Sequence, residues 1–108
     1  MNEARFTQEV EEIFAAIEDA VDESEAELDC ESGNGILTLD CEDTDTQVII
    51  TRQVGNLEIW VAAKSGGFHC AFNEDHWHCR NTDESLNDLL DRVLSEQSNQ
   101  PVVLGWTV

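Results

Sequence analysis

The spacing of hydrophobic residues near the N-terminus predicts an amphipathic helix over residues 3–23. Apolar side chains recur there at steps of three and four, and they occupy an arc roughly 100° wide on a helical projection. They are Phe6, Val10, Ile13, Phe14, Ile17 and Val21. Carboxylates border this stripe, with Glu18 and Asp22 just beyond one edge. Asp19 and Glu23 lie opposite it, so the predicted helix has a buried stripe and an acidic flank.

After the helix, over residues 25–31, the hydrophobic period changes to two. Carboxylates alternate there with Ala26, Leu28 and Cys30, which predicts a half-buried strand with an entirely acidic outer face. The helix flank and this strand face together predict one continuous surface, called the acidic ridge below. Its members are Glu18, Asp19, Asp22, Glu23, Glu25, Glu27, Asp29 and Glu31.

Short runs rich in β-branched and aromatic residues fill the middle of the chain and predict further strands. These runs cover residues 36–39, 46–53, 57–63, 68–72 and 76–80. The pair Asn34-Gly35 tolerates the positive φ angles of a tight hairpin turn. Strands joined by such short connections pair in antiparallel order.

A second helix is predicted to begin at Thr82, as its N-cap, and to end near residues 97–99, before Pro101. The apolar tail with Trp106 is expected to cover the core. Residues 1–108 therefore predict a single domain of the α+β class. We expect a two-layer α-β sandwich, with two helices on one face of an antiparallel sheet of about five to six strands and the other face open.

The charge of the chain limits the classes of partner that it can bind. It has 24 acidic and 5 basic residues, for a net charge of -19. Such a charge repels nucleic acid and anionic membranes, and it favours metal cations or basic proteins. Neither an apolar run of about 18 residues nor a signal peptide is evident, which predicts a cytoplasmic protein. In a reducing cytosol the four cysteines are expected to be free thiols, with disulfides as the alternative.

The acidic ridge is the first candidate site. Crowded carboxylates raise one another's pKa and oppose folding, and bound cations remove this penalty. Carboxylate oxygens suit hard cations such as Fe³⁺, Ca²⁺, Mg²⁺ and Mn²⁺. Because the ridge is a row on regular structure and not a loop that wraps an ion, we expect weak, multi-site and poorly selective binding. The alternatives are a solvated face and a docking surface for a basic protein.

Trp60 is the second candidate. Alternation over residues 57–63 places the aliphatic side chains toward the core and Trp60 on the open face beside Glu58. Tryptophan is enriched at binding hot spots, so this face is a candidate partner site that also includes Thr51 and Gln53. The alternative is that a tail or a neighbouring side chain covers the indole.

The histidines are the third candidate. Alternation predicts that His69 and His78 face outward as cross-strand neighbours, a pair able to hold a soft or borderline metal. Ordinary exposed histidines are the alternative. No side chains in the sequence form an ordered catalytic set, and no glycine-rich phosphate loop is present, so we predict that the protein is not an enzyme.

Several segments in order resemble frataxin in its short bacterial form, over nearly the whole chain. These segments are IEDAVDESE followed by LDCE, then GILTL, VIITRQ, LEIWVAAKSGG, FHCAFNEDHWHC and SLNDLLDRVL. The Ile-Trp-Val stretch and the Gly-Gly step into an aromatic strand are the most specific parts. The chain departs from the usual pattern at Thr51, Val54 and Glu58, all near the open sheet face.

The resemblance implies an α-β sandwich protein of iron–sulfur cluster assembly. It implies weak binding of Fe²⁺ or Fe³⁺ along the acidic ridge, where other divalent cations can substitute, and contacts with the cysteine desulfurase and its scaffold. We therefore predict an iron-binding regulator or iron chaperone, monomeric but able to form oligomers with metal. The alternatives are a weak ferroxidase or iron-storage assembly, and a metal-independent acidic adaptor for a basic protein.

Overall fold

A computed structural model describes residues 1–73 and 75–106. Within these ranges two α-helices cover one face of a seven-stranded antiparallel sheet, whose strands lie in chain order. The elements are α1 (Glu3–Glu23), β1 (Leu28–Gly33), β2 (Ile36–Cys41), β3 (Thr46–Gln53), β4 (Glu58–Ala63), β5 (Gly66–Asn73), β6 (His76–Cys79), β7 (Glu84–Ser85) and α2 (Leu86–Ser98). A 3₁₀ turn, Val54–Asn56, joins β3 to β4. The predicted two-layer sandwich is confirmed, with one more strand than expected.

Helix α1 has the predicted bounds because both of its ends are capped. The Asn2 side chain accepts a hydrogen bond from the Arg5 backbone N–H at 2.8 Å. At the other end the Ser24 hydroxyl donates to the carbonyl oxygen of Val21 at 2.9 Å. The predicted apolar stripe is buried against the sheet. Since its period is helical, the carboxylates beside the stripe remain at the edge of this contact.

Strand β1 begins three residues later than the alternation predicted. Pairing with β2 starts at Leu28, which lies opposite Cys41. The Leu28 N–H donates to the Ala26 carbonyl at 2.8 Å, so the chain turns before it becomes a strand. Glu25 and Glu27 therefore lie in the connection between α1 and β1, and their predicted place on the strand face was wrong.

The predicted start of the second helix was also wrong. Residues 80–83 form a turn, in which Asp83 has φ 61°, and residues 84–85 then pair with β6 as the short strand β7. The helix begins at Leu86, and the N-cap is Ser85, whose hydroxyl accepts from the Asp88 N–H at 3.1 Å. It ends at Ser98, and its C-cap, Asn99, has the left-handed conformation common at helix C-termini, with φ 56°. Strand β7 also supplies the additional seventh strand, too short to produce a period.

The core lies between the helices and the inner face of the sheet. Fully buried aliphatic side chains from the middle strands include Leu37, Leu39, Val48, Ile50, Ile59 and Val61. The C-terminal tail runs back along α2, where the Leu104 N–H donates to the Asp91 carboxylate at 3.1 Å. Val102 and Trp106 of this tail are buried, as predicted.

The expectation of four free thiols was wrong for two of them. Cys70 of β5 and Cys79 of β6 are directly opposed in the strand register, with Cα atoms 4.1 Å apart, and form a disulfide. Cys30 and Cys41 are free. The prediction relied on the redox state of a cytosol and not on register, which decides whether two cysteines can reach each other.

Candidate metal-binding ridge and open sheet face

The acidic ridge wraps around one edge of the sheet. Strand β1 is an edge strand. Glu18 and Asp22 lie on the helix side of this edge, on the flank of α1. Asp29 and Glu31 alternate with the inward-facing Cys30, so they lie on the opposite, open side. Asp19 and Glu23 extend the α1 flank, and all members except the half-buried Glu18 are exposed.

The thiol of Cys30 lies at the point where the two parts of the ridge meet. Burial, together with the nearby charges of Glu18, Asp22, Asp29 and Asp40, raises the pKa of this thiol to about 11. Carboxylates from the helix and from two strands therefore lie close enough to the same thiol to affect its ionisation. The helix part and the strand part of the ridge thus adjoin near Cys30, and the ridge crosses the sheet edge instead of following one face.

Asp40 belongs to this surface, and the sequence interpretation missed it. It lies directly opposite Asp29 in the β1–β2 register, on the open side of the sheet. Gln47 donates a hydrogen bond to its carboxylate at 2.7 Å. The predicted strand ended at residue 39, two positions before the end of β2 at Cys41, so it left Asp40 out. The signal that could have identified it is the alternation of Leu37 and Leu39 with polar residues, which continues to Cys41.

Nothing within the described ranges neutralises the ridge. Among residues 1–73 and 75–106, no lysine, arginine or histidine nitrogen lies within 4.0 Å of a ridge carboxylate. The ion pairs that do form lie elsewhere, for example between Arg5 and Glu9 and between Arg92 and Glu84. The repulsion among the ridge carboxylates is therefore left for solvent, ions or a partner to reduce.

The donor set suits hard cations, but its arrangement is open. In the part of the chain that the structure describes, no three side chains of His, Cys, Asp or Glu converge on a common metal position. Carboxylate oxygens are the preferred ligands of hard cations, and high affinity requires several of them around one ion. The arrangement thus fits a row of weak cation sites and not a cage.

The open sheet face carries a row of side chains that runs across four strands. Ile36, Thr51, Trp60 and His69 are successive cross-strand partners from β2 to β5. Trp60 is half-buried, and Ile36 is 41% exposed. Ile49 lies on the same face and is also partly exposed. The middle of this face is therefore partly apolar.

Gln53 and Glu58 form the neighbouring cross-strand pair. Gln53 is partly exposed, whereas Glu58 is only 6% exposed despite its outward position. Its carboxylate accepts hydrogen bonds from Trp60 and from Arg80. The predicted partner residues Thr51, Gln53 and Trp60 thus share an accessible surface, while Glu58 lies beneath it.

The two histidines were predicted to be cross-strand neighbours, and this prediction was wrong. In the β5–β6 register His78 lies opposite Ala71, whereas His69 lies opposite Trp60 in β4. His69 Nδ1 lies 2.9 Å from an Arg80 nitrogen, and His78 Nε2 lies 2.8 Å from the Asp83 carboxylate. A metal site on these histidines stays a prediction, and their observed partners give it no support.

The frataxin-like domain model matches residues 1–100. The chain belongs to the frataxin-like family. It is 41% identical over 104 residues to the iron–sulfur cluster assembly protein CyaY of Pseudomonas aeruginosa, covering 94% of this chain and 95% of that protein. It is 36% identical over 105 residues to the protein of that name from Neisseria meningitidis, covering 97% of each.

A solved structure of frataxin from Psychromonas ingrahamii superposes on this frataxin-like chain with a TM-score of 0.87. The sequence identity is 28%, and the alignment covers 96% of this chain and 98% of that one. The resemblance noted from the sequence segments is therefore confirmed, as is the fold that it implied. In this frataxin-like chain no described helix is both long and apolar enough to cross a membrane.

Proposed function

We propose that this chain is a non-enzymatic, iron-binding regulator of iron–sulfur cluster assembly that acts on the cysteine desulfurase machinery. The observation that carries the proposal is the acidic ridge, on a member of a family whose curated relatives are named iron–sulfur cluster assembly proteins. Fe²⁺ or Fe³⁺ is the regulatory ligand, and Mg²⁺, Ca²⁺ or Mn²⁺ can replace it because the ligands are carboxylate oxygens.

The ridge serves two uses in this proposal. Glu18, Asp22, Asp29 and Glu31 bind iron weakly, together with the other members and with Asp40. The same carboxylates dock on a basic surface of the desulfurase, because an acidic surface that has no cationic partner among the described residues attracts a complementary one. Iron on the ridge removes negative charge from that docking surface, so iron supply changes the strength of the complex.

The open sheet face is the second contact surface. Trp60, Thr51 and Gln53 present an apolar and polar patch, extended by the exposed Ile36. We assign this patch to the desulfurase or its scaffold, since tryptophan and neighbouring aliphatic side chains supply much of the binding energy of protein interfaces. The two surfaces adjoin at β1 and β2, so one partner can contact both.

The decisive experiment compares a ridge variant with a variant of equal charge elsewhere. Asp22→Lys with Asp29→Lys changes the ridge, and Glu12→Lys with Asp43→Lys makes the same change in net charge at exposed positions outside it. We expect Fe²⁺ shifts in anaerobic NMR spectra, and desulfurase binding, to be lost in the ridge variant and kept in the control. Equal losses in both variants would show that net charge alone, and not the ridge, is responsible.

A weak ferroxidase is the competing function, and oxygen consumption separates the two. A regulator alters desulfurase activity as the iron concentration changes, without consuming oxygen beyond the iron blank. A ferroxidase consumes oxygen in proportion to Fe²⁺ and forms oligomers during the reaction. Desulfurase assays at two iron concentrations, combined with an oxygen electrode and sedimentation, distinguish these outcomes.

A further inference from the structure

The polar edge of Trp60 is turned into the protein. Its indole Nε1–H donates to Oε1 of Glu58 at 2.9 Å. The two residues lie two positions apart on β4 and therefore on the same, open side of the sheet. The N–H group, which tryptophan commonly offers to a partner, is thus already used within the molecule.

Glu58 is an outward-facing carboxylate that solvent scarcely reaches. It is 6% exposed, and its second oxygen accepts from the Arg80 guanidinium. Burial by itself would raise the pKa of Glu58, but the hydrogen bonds from Trp60 and Arg80 and the positive charge of Arg80 outweigh it, so the pKa is lowered. Both oxygens therefore have charge-assisted or indole donors, as a buried carboxylate requires.

Arg80 and His69 complete a closed set of contacts around the indole. A second Arg80 nitrogen lies 2.9 Å from His69 Nδ1. The His69 ring stacks on Trp60, with ring centroids 4.5 Å apart and 20° between the planes. The backbone of His69 is held in turn, since its N–H donates to the Asn81 side chain at 2.9 Å. Each of the four side chains thus contacts two of the others.

We propose that Glu58, His69 and Arg80 act as positioning residues that fix the orientation of Trp60 for partner binding. This inference rests on the proposed function of the open face, and it changes the role of Glu58 from a partner contact to a support. The indole has rotamer freedom that docking must otherwise restrict, and the set of contacts restricts it beforehand, which lowers the entropic cost of binding.

The arrangement also defines what Trp60 offers to the partner. Its N–H is bonded to Glu58 and one ring face lies against His69, so the remaining ring surface is apolar. A partner side chain that needs a hydrogen-bond donor finds none on this indole. The complementary group on the partner is therefore an apolar or cationic side chain, because both are attracted to an aromatic surface.

The positioning role can be tested in the free protein by NMR. The Trp60 indole signal is assigned by its loss in Trp60→Phe. We expect Glu58→Ala to shift this signal and speed its exchange with solvent, and Glu58→Gln, which keeps an acceptor oxygen, to preserve most of the protection. Glu84→Ala breaks a different carboxylate–arginine pair, with Arg92, and serves as the control that leaves the signal unchanged.

Binding to purified cysteine desulfurase tests the consequence. We expect Glu58→Ala to weaken binding about tenfold, as expected for loss of a hydrogen bond to a charged group, and Glu58→Gln to restore most of the affinity. In the Trp60→Phe background, which lacks the N–H, Glu58→Ala should lower the affinity by less than about twofold. In that background Glu58 has no indole N–H to hold, so its effect through residue 60 is already lost.

Two results would overturn the inference. One is an equal loss of affinity from Glu58→Ala in both backgrounds, which would make Glu58 a direct partner contact. The other is a Trp60 indole signal that does not respond to Glu58→Ala. If the wild-type chain does not bind the desulfurase at all, the proposed function fails, whereas the NMR comparison still decides whether Glu58 positions Trp60.

Discussion

Cys70 and Cys79 face each other across β5 and β6 and join the two strands covalently at a fully buried position. The bridge closes a short loop, since the two residues are separated by 9 positions in sequence. A disulfide stabilises a fold largely by restricting the unfolded chain, although short loops gain less than long ones. The hairpin that carries His69 and leads to Arg80 is therefore held in register by this bond.

Reduction of this disulfide should lower the stability of the protein. We expect the free energy of unfolding to fall by about 2 kcal/mol in the presence of a reductant. Urea denaturation with and without dithiothreitol measures the change. The double variant Cys70→Ala with Cys79→Ala is the control, since reductant should have no effect on it. An unchanged midpoint for the wild-type chain would contradict the prediction.

Divalent cations should stabilise the folded protein through the ridge. Asp22 and Glu23 lie in the last turn of α1, which has no basic residue and where negative charge is unfavourable. Millimolar Mg²⁺ or Ca²⁺ should therefore raise the melting temperature at low ionic strength, because the folded ridge binds cations better than the unfolded chain.

The variant Asp22→Lys with Asp29→Lys should itself melt at a higher temperature than the wild type and respond less to cations. Circular dichroism melts at several Mg²⁺ concentrations measure both effects. The control, Glu12→Lys with Asp43→Lys, should keep the full response to cations. The same response in all three proteins would mean that ridge repulsion has no measurable effect on stability.

The Cys30 thiol should ionise only at high pH. Its pKa is raised from 9.0 to about 11 by burial and by the carboxylates of the ridge. The folded state thus retains the proton more tightly than the unfolded chain. The stability that this provides is complete below pH 9 and is lost as the pH rises from about 9 to about 11.

Alkylation measures this ionisation directly, because the thiolate is the reactive form. Iodoacetamide should modify Cys30 slowly at pH 8, as followed by mass spectrometry of its peptide. Added Ca²⁺ should accelerate the reaction, since it reduces the negative potential around the sulfur. The rate at Cys30 should also rise in Asp22→Asn. A rate equal to that of a free cysteine peptide would contradict the raised pKa.

The exposed Ile36 should contribute to partner binding and not to stability. It is 41% exposed and lies opposite Thr51 on the open face, so Ile36→Asp removes little buried surface. We expect this variant to bind the desulfurase or its scaffold at least about tenfold more weakly, because a charge in an interface must be desolvated. Val103→Asp is the matched control, at an aliphatic residue that is 77% exposed on the C-terminal tail.

The melting temperature of both variants should stay close to that of the wild type. Affinity is measured by calorimetry or by surface plasmon resonance. Equal binding by Ile36→Asp and Val103→Asp would remove Ile36 from the partner surface.

The sequence predicted most of the secondary structure because its periods are strong. The stripe of α1 identified both ends of that helix, and Asn34-Gly35 identified the first hairpin, where both residues have positive φ. The errors occur where a sequence pattern typical of one element is found in a segment that forms another structure. Alternation at Glu25 and Glu27 does not distinguish a strand from an extended connection, and Thr82 satisfies the N-cap preference equally well outside a helix.

The open face was predicted less completely, since its chemistry depends on contacts between strands. Alternation placed Glu58 and Trp60 on that face, but it does not show that Arg80, just beyond the end of β6, reaches the Glu58 carboxylate. The burial of Glu58 and the disulfide both depend on the register of strand pairing. The sequence does not give the exact length of each short turn, so a predicted register can be wrong by one residue. The ridge was predicted more fully because it is built from neighbours in sequence.

The open arrangement of the ridge also has a consequence in time. Because no three ligands converge within the described part of the chain, an ion on the ridge is held by few oxygens and dissociates rapidly. The fraction of ridge sites that hold an ion then follows the free metal concentration at each moment and does not depend on earlier metal concentrations. On the proposed function, the protein therefore responds at once to the current iron supply. A storage protein, in contrast, retains the iron that it has taken up.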